Sequence, residues 1–211
     1  MPTKTAKSLS LFATPLAALV APNAPDLNAA LGPRVQQLFQ AAGPVEAALP
    51  WQSPPQSLLK DDRALAQIAW MIATLADAMA APKHWPGPPQ SGWDALWFAE
   101  LLLPGQGLPV HDYPRADWCG CYLIDDGGGS GESGEMELLD PRGAAVMMYA
   151  PTLTFDAPGG DVLGISQTVN LTPGSLLVFP AWLHQGTSAN RGPRPRLAIK
   201  LLLTARHDGG Q

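Results

Sequence analysis

The chain of 211 residues has the length of one ordinary domain, and 46% of its residues are apolar while only 15% are charged. This composition excludes a disordered chain. Its net charge of −5, with 13 thinly spread basic residues, argues against a nucleic-acid partner. No apolar run approaches the ~18 residues of a membrane span, so no membrane partner is expected. The only cysteines, Cys119 and Cys121, are too close for ordinary disulfide geometry, which predicts a reduced, cytoplasmic protein.

The amino terminus has two interpretations. Lys4 and Lys7 precede an apolar stretch at 9–21, and this order is similar to the start of a secretory signal peptide. Pro15 interrupts the stretch and would break the apolar helix that a signal peptide needs. The favoured interpretation is therefore a pair of short strand-like runs divided at Pro15.

The first 90 residues carry helical patterns. Apolar residues recur at helical spacing over 26–39, although a Gly-Pro pair at 32–33 offers a later start for this helix. A second helix is predicted from apolar residues that recur at helical spacing between Leu65 and Met79, with Asp61 or Asp62 as its cap and with Pro82 as its stop. We expect both helices to support the remainder of the chain.

The chain after residue 90 has the pattern of short strands separated by Gly, Pro and Asp turns. The predicted strands are Ala95–Leu103, Trp118–Asp125, Glu135–Leu139, Ala145–Ala150, Gln167–Leu171, Ser175–Phe179 and Arg196–Thr204. No helical pattern interrupts them, which disfavours a parallel α/β sheet. The predicted fold class is mainly β with α: a jelly roll, or double-stranded β-helix, with the N-terminal helices packed on one sheet. We expect a single domain over 1–211, with a support region at 1–90 and the jelly-roll core at 91–206.

Two histidines lie where predicted strands begin or end. His111 lies at the mouth of a strand, and His184 closes an apolar run. Taken alone, each is more often a packing residue than a ligand. Together they suit a non-haem Fe(II) site, which uses two histidines and usually one carboxylate. Arg196 follows His184 by 12 residues and opens the last apolar strand, where its planar fork suits a carboxylate ligand.

The order of these residues resembles a known family, the bacterial 2-oxoglutarate/Fe(II) oxygenases of the double-stranded β-helix fold. The resemblance is strongest over 173–184 and includes His111, the segment 119–122 and the final strand at Arg196. It covers the C-terminal half well and the helical half loosely. It implies Fe(II) and 2-oxoglutarate as cofactors, and hydroxylation of a small-molecule, amino-acid or peptide substrate. It also makes Tyr122 a candidate hydrogen-bond partner of the far carboxylate of 2-oxoglutarate, beside Arg196.

The third iron ligand is the point at which the sequence departs from this family. The family places a second candidate ligand two residues after the first histidine, on the same strand face, and this position holds Tyr113. The nearest acid, Asp112, would point to the opposite face of a regular strand. Four alternatives stay open: a distorted strand that brings Asp112 to the metal, a site with His111 and His184 alone, a site that Tyr113 ligates or lines, and a metal site that has been lost.

Two other functions stay open at this stage. One is a non-catalytic jelly roll that binds a small carboxylate or a protein partner. The other is a cupin-like metal enzyme that works without 2-oxoglutarate. Cys119 and Cys121 share a strand face but lack two further ligands at zinc spacing, so a structural zinc site is not expected. The fold and the cofactors leave the substrate undetermined, and a homodimer also stays open.

Overall fold

The computed structural model describes residues 13–43, 50–57, 62–80, 92–129, 133–142, 155–156, 162–163 and 166–206. Within these ranges, helices α1 and α2 span Ala24–Ala41 and Arg63–Met79. The strands in chain order are β1 Ala17–Val20, β2 Trp51–Gln52, β3 Trp93–Leu102, β4 Leu108–His111, β5 Trp118–Asp125, β6 Met136–Leu139, β7 Phe155–Asp156, β8 Val162–Leu163, β9 Ser166–Val169, β10 Ser175–Pro180, β11 His184–Thr187 and β12 Arg196–Ala205. The predicted strand Ala145–Ala150 lies outside the described residues.

Two antiparallel sheets form the jelly roll. The larger has the order β1-β10-β5-β12-β3-β2, and the smaller has the order β4-β11-β6-β9. The short strands β7 and β8 pair with each other. Apolar side chains from β5, β10 and β12 of the larger sheet meet side chains from β6 of the smaller sheet in one buried cluster. The predicted fold class is therefore confirmed.

Both helices pack on the outer side of the six-stranded sheet. Helix α1 continues through Pro33 instead of starting there, and the buried Leu31 and Val35 anchor it on either side. Asp62 caps α2, since its Oδ1 accepts the backbone N–H of Ala64 at 2.9 Å, and Arg34 of α1 forms an ion pair with the same carboxylate. No helix in the described ranges is long and apolar enough to cross a membrane.

Gly120 allows α2 to approach the sheet closely. A Cβ atom added at Gly120 would lie 2.6 Å from Cδ1 of Ile72, which is closer than two carbon atoms can come without displacement. Glycine at this position of β5 therefore sets the distance between the helix layer and the sheet.

Each strand of the larger sheet presents alternate residues to its two sides. We call the side toward the smaller sheet the inner face, and the other side the helix side. In β5, Cys119, Cys121 and Leu123 lie on the inner face, whereas Tyr122 and Ile124 pack toward the helices. The same alternation in β12 decides which of its polar residues reach the interior.

The inner face of β12 carries two basic residues. Arg196, Ala198 and Lys200 point inward, while Leu197 and Ile199 pack against the helix side. Both basic side chains are only 1% exposed. Since a buried charge is costly unless a partner compensates it, their contacts define the candidate site.

Candidate active site

His111 lies at an open pocket at one edge of the jelly roll. The pocket has a volume of about 250 Å³ and is lined by Gln52, Leu108, Pro109, Val110, His111 and Tyr113. The His111 Nδ1 atom is 2.8 Å from the carbonyl oxygen of Pro109. A carbonyl can only accept, so Nδ1 carries the proton, and in the neutral ring Nε2 is left as an acceptor. The hydroxyl of Tyr113 lies 3.1 Å from Nε2 and donates to it.

Tyr113 forms the wall between this pocket and the buried interior. Its ring packs edge-on against Phe98 and His111, with centroid distances of 6.2 and 5.0 Å. Burial raises the pKa of Tyr113 well above its ordinary value, and the neighbouring Lys200 offsets only part of that rise. The phenol therefore stays protonated at neutral pH and occupies the one His111 nitrogen that has a free lone pair.

The strand register places His184 on the outer face of the smaller sheet, where its side chain points away from His111. Gln185 lies directly opposite His111 in one antiparallel ladder and opposite Leu138 in the other. Directly opposed residues share a face and successive residues alternate, so the side chains of His184 and His111 point to opposite faces. The buried Gln185 and Thr187 are the inward residues of β11.

Gln185 connects the two sheets through a buried polar network. Its Oε1 accepts a hydrogen bond of 2.9 Å from the Lys200 ammonium, and its Nε2 donates to the Cys119 sulfur at 3.5 Å. Burial raises the pKa of the Cys119 thiol to about 11, so the sulfur is an uncharged acceptor at neutral pH. Both functional atoms of the amide are thus engaged inside the protein.

Lys200 keeps its charge in this buried position. Burial opposes the ammonium, whereas the neighbouring Glu100 favours it and raises the pKa of Lys200. The Lys200 ammonium therefore lies between the two sheets, where the side chain of Gln185 also points.

Arg196 and Glu100 form a second buried charge pair on the inner face. Arg196 Nη1 lies 3.6 Å from Glu100 Oε1. Within the described residues, none of the three guanidinium nitrogens and neither carboxylate oxygen has a hydrogen-bond partner. Gly134, at φ +62°, makes room for this arginine, because a Cβ there would lie 2.7 Å from Arg196 Cδ. The guanidinium has open donor capacity beside a single anionic neighbour.

Tyr122 does not join Arg196 as predicted. Its side chain points to the helix side, where its hydroxyl donates to Asn28 Oδ1 at 2.7 Å. The two residues lie on opposite faces of one sheet, so they cannot bind the same carboxylate. The strand alternation of β5, with Cys119 and Cys121 inward, places Tyr122 outward.

The described side chains do not fit a three-ligand iron site. No group of three or more His, Cys, Asp or Glu side chains in the described part of the chain is arranged to hold a metal ion. His111 and His184 face opposite ways, and the free nitrogen of His111 is hydrogen-bonded to Tyr113. Arg196 does fit a carboxylate ligand.

Three residues of this interior were not among the sequence candidates: Glu100, Gln185 and Lys200. Each had a signal in the sequence. Glu100 and Lys200 are single charged residues within apolar strands, and an isolated charge in such a run indicates a buried partner. Gln185 directly follows His184 in the sequence. Only the strand register shows that the two side chains lie on opposite faces of the sheet.

Comparison with known proteins gives a family match over these same strands. A family model described as "Putative 2OG-Fe(II) oxygenase" matches residues 95–201, which is just over half of the chain. The match includes β3 to β11 and the first residues of β12, and thus all of the inward residues described above. No curated protein matches the sequence.

Solved structures with a similar fold come from several enzymes. A Pseudomonas putida prolyl-4-hydroxylase is 15% identical, with a TM-score of 0.60 over 92% of this chain and 94% of that one. The epimerase SnoN from nogalamycin biosynthesis, in complex with Fe3+, alpha ketoglutarate and nogalamycin RO, is 14% identical, with a TM-score of 0.61 over 90% and 79%. The carbocyclase SnoK from the same biosynthesis is 11% identical, with a TM-score of 0.61 over 90% and 79%. At these identities the likeness is one of fold.

Proposed function

Because the chain belongs to the family of 2-oxoglutarate/Fe(II) oxygenases, we propose that it binds 2-oxoglutarate between its two sheets through Arg196. The resemblance found in the sequence is confirmed, and with it the enzyme class and the cofactors at the level of the family: a 2-oxoglutarate-dependent oxygenase that uses Fe(II) and 2-oxoglutarate.

The observation that carries the proposal is the unsatisfied charge around Arg196. Arg196 and Lys200 are positive and Glu100 is negative, so these three buried side chains leave one formal positive charge. The raised pKa values of Cys119 and Tyr113 keep both groups uncharged, so neither neutralises it. One carboxylate bound by the open guanidinium donors would balance the charge and satisfy those donors.

We place the substrate at the pocket beside His111. This pocket is open to solvent and is separated from the buried interior by the ring of Tyr113. The family's reaction at this pocket would be hydroxylation of a small-molecule, amino-acid or peptide substrate. A cytoplasmic location is part of the proposal, and the free cysteines Cys119 and Cys121 support it.

A second candidate function is carboxylate binding without turnover. The engagement of both His111 nitrogens and the outward position of His184 favour it, because these positions leave no described three-ligand set for iron. Arg196 serves both candidates in the same way. The two candidates differ in whether bound 2-oxoglutarate is converted to succinate.

The test is calorimetric titration of metal-free protein with 2-oxoglutarate, followed by an assay for succinate in the presence of Fe(II) and air. Arg196→Lys keeps the charge beside Glu100 but loses the planar fork, so we expect at least a tenfold weaker affinity. Arg194→Lys is the matched control, since that arginine is exposed and pairs with Asp125, and its affinity should equal that of the parent.

The outcomes separate the two candidates. Binding with succinate formation supports the oxygenase, and binding without succinate supports the carboxylate-binding protein. Parent protein that does not bind 2-oxoglutarate, or an Arg196→Lys variant that binds it as tightly as the parent does, would contradict the proposal for Arg196.

A further inference from the structure

We infer that the ammonium of Lys200 is the resident cation of the inner site and takes the place of a metal ion beside the inward residue of β11. The inference concerns the ligand positions of this chain. It favours the second candidate function, carboxylate binding without turnover, and does not depend on whether 2-oxoglutarate binds at Arg196. It is carried by the strand register and by the two hydrogen bonds of Gln185.

Gln185 is the residue of β11 that pairs with His111 on the inward face, and Thr187 is the other inward residue of that strand. Gln185 lies directly opposite His111, whereas His184 projects from the other face of the sheet. A metal ion held between β4 and β11 would therefore take its β11 ligand from Gln185. An amide oxygen is a weaker ligand for Fe(II) than an imidazole, which Fe(II) sites commonly use.

The oxygen of Gln185 is already directed at Lys200. Its Oε1 accepts from the Lys200 Nζ at 2.9 Å, while its Nε2 donates to the Cys119 sulfur at 3.5 Å. A metal ion bound by the same oxygen would lie about 2–2.5 Å from it. The ammonium and a dication would then compete for one oxygen in a buried space, where like charges repel strongly.

The remaining inward groups are engaged in contacts within the protein. The Tyr113 hydroxyl is directed at His111 Nε2, and the Cys119 sulfur accepts a hydrogen bond from Gln185. Glu100, a carboxylate on the same inner face, is paired with Arg196. The interior is thus organised around a fixed ammonium, with Gln185 as its hydrogen-bond acceptor.

The experiment restores the metal ligands and then removes the ammonium. We would titrate four proteins with Co(II) alone and follow its visible absorption: the parent, Tyr113→Asp/Gln185→His, Lys200→Met, and Tyr113→Asp/Gln185→His/Lys200→Met. Both restored positions share the face of His111. We expect no stoichiometric binding by the parent or by Lys200→Met, and weak binding by the double variant. We expect one Co(II) per chain in the triple variant, bound at least 100-fold more tightly than in the double variant.

Two outcomes would overturn the inference. One is tight, stoichiometric Co(II) binding by the parent. The other is a double variant that binds Co(II) as tightly as the triple variant does, because Lys200 would then not exclude the metal. Circular dichroism and thermal melting show whether each variant is folded.

A measurement on the parent keeps the inference testable if the triple variant does not fold. The NMR signal of the buried Lys200 NH3+ group, assigned by its loss in Lys200→Met, should persist unchanged with a tenfold excess of paramagnetic Co(II). Broadening of that signal with one equivalent of Co(II) would contradict the inference. Calorimetry with 2-oxoglutarate in the absence of metal tests Arg196 separately, so failure of one proposal is distinguishable from failure of the other.

Discussion

Gln185 and His111 face each other across the ladder between β11 and β4, and their side chains share the inner face of the smaller sheet. One imidazole and one amide therefore lie opposite each other in this ladder, at the edge of the jelly roll where the pocket opens. The imidazole is held by the Pro109 carbonyl and the Tyr113 hydroxyl, and the amide by Lys200 and Cys119. Four hydrogen bonds therefore fix this pair within the protein.

Tyr122→Phe should lower stability without changing the affinity for 2-oxoglutarate. The variant loses the 2.7 Å hydrogen bond to Asn28, which contributes about 1 kcal/mol to the free energy of unfolding. The hydroxyl lies on the helix side, so no ligand on the inner face can reach it. Urea denaturation and calorimetric titration of the same preparation measure the two effects. A tenfold loss of affinity would place Tyr122 at the ligand instead.

Arg196→Leu should destabilise the protein by about 3–5 kcal/mol, because it leaves the buried carboxylate of Glu100 without its partner. The double variant Arg196→Leu/Glu100→Leu removes both charges and should recover most of that loss. Urea denaturation of the two single variants and the double variant gives the coupling energy. Additive effects in this cycle would show that the two side chains do not interact.

Cys119 should make the protein less stable in alkaline solution. Burial raises the pKa of its thiol from 9.0 to about 11 in the folded state. The stabilising contribution is fully present below pH 9, because the thiol is then protonated in both states. It is lost as the pH rises through 11, since the unfolded chain ionises first. The loss amounts to about 3 kcal/mol for two pH units.

Cys119→Ala is the control for this pH dependence. It removes the thiol, so the difference in unfolding free energy between parent and variant should change between pH 9 and pH 11. Denaturation at several pH values across this window measures that difference. A constant difference would show that the thiol has the same pKa in the folded and the unfolded chain.

Gly120→Ala should destabilise the protein by about 1–3 kcal/mol, because the new methyl group would overlap with the Ile72 side chain. Shortening that side chain in Gly120→Ala/Ile72→Val should recover part of the loss. Gly32→Ala is a useful contrast, since its Cβ would meet Ile124 at an ordinary 3.6 Å within a helix. Thermal melting should give the lowest melting temperature for Gly120→Ala, an intermediate one for Gly120→Ala/Ile72→Val, and the highest for Gly32→Ala.

Helices and long strands follow from the sequence because local patterns determine them. The apolar run bounded by turn residues predicts Trp118–Asp125 with both its limits, and the candidate caps Asp61 and Asp62 predict the start of α2, which lies at Arg63. Burial on one side of a regular element leaves a periodic signal. The helix α1 is longer than the Gly-Pro pair suggests, since packing against the sheet compensates for the proline.

The face on which His184 lies could not be read from the same patterns. The strand β10 ends at Pro180, and a three-residue turn precedes β11, so the alternation of the first strand does not carry over to the second. The inward phase of β11 is set by its ladder with β6, where Gln185 meets Leu138. This is a tertiary contact between segments about 47 residues apart, and no local pattern encodes it.

The central place of β12 in the larger sheet has a consequence for synthesis on the ribosome. This strand lies between β3 and β5, yet it follows all the other described strands in the chain, and its pairing with β3 joins residues about 90 to 110 positions apart. Pairing over such separations is slow, because a long loop must close before any contact forms. Until Arg196–Ala205 leaves the exit tunnel, β3 and β5 present open edges that can pair with other chains. We therefore expect truncation before residue 196 to yield aggregate instead of a smaller folded protein.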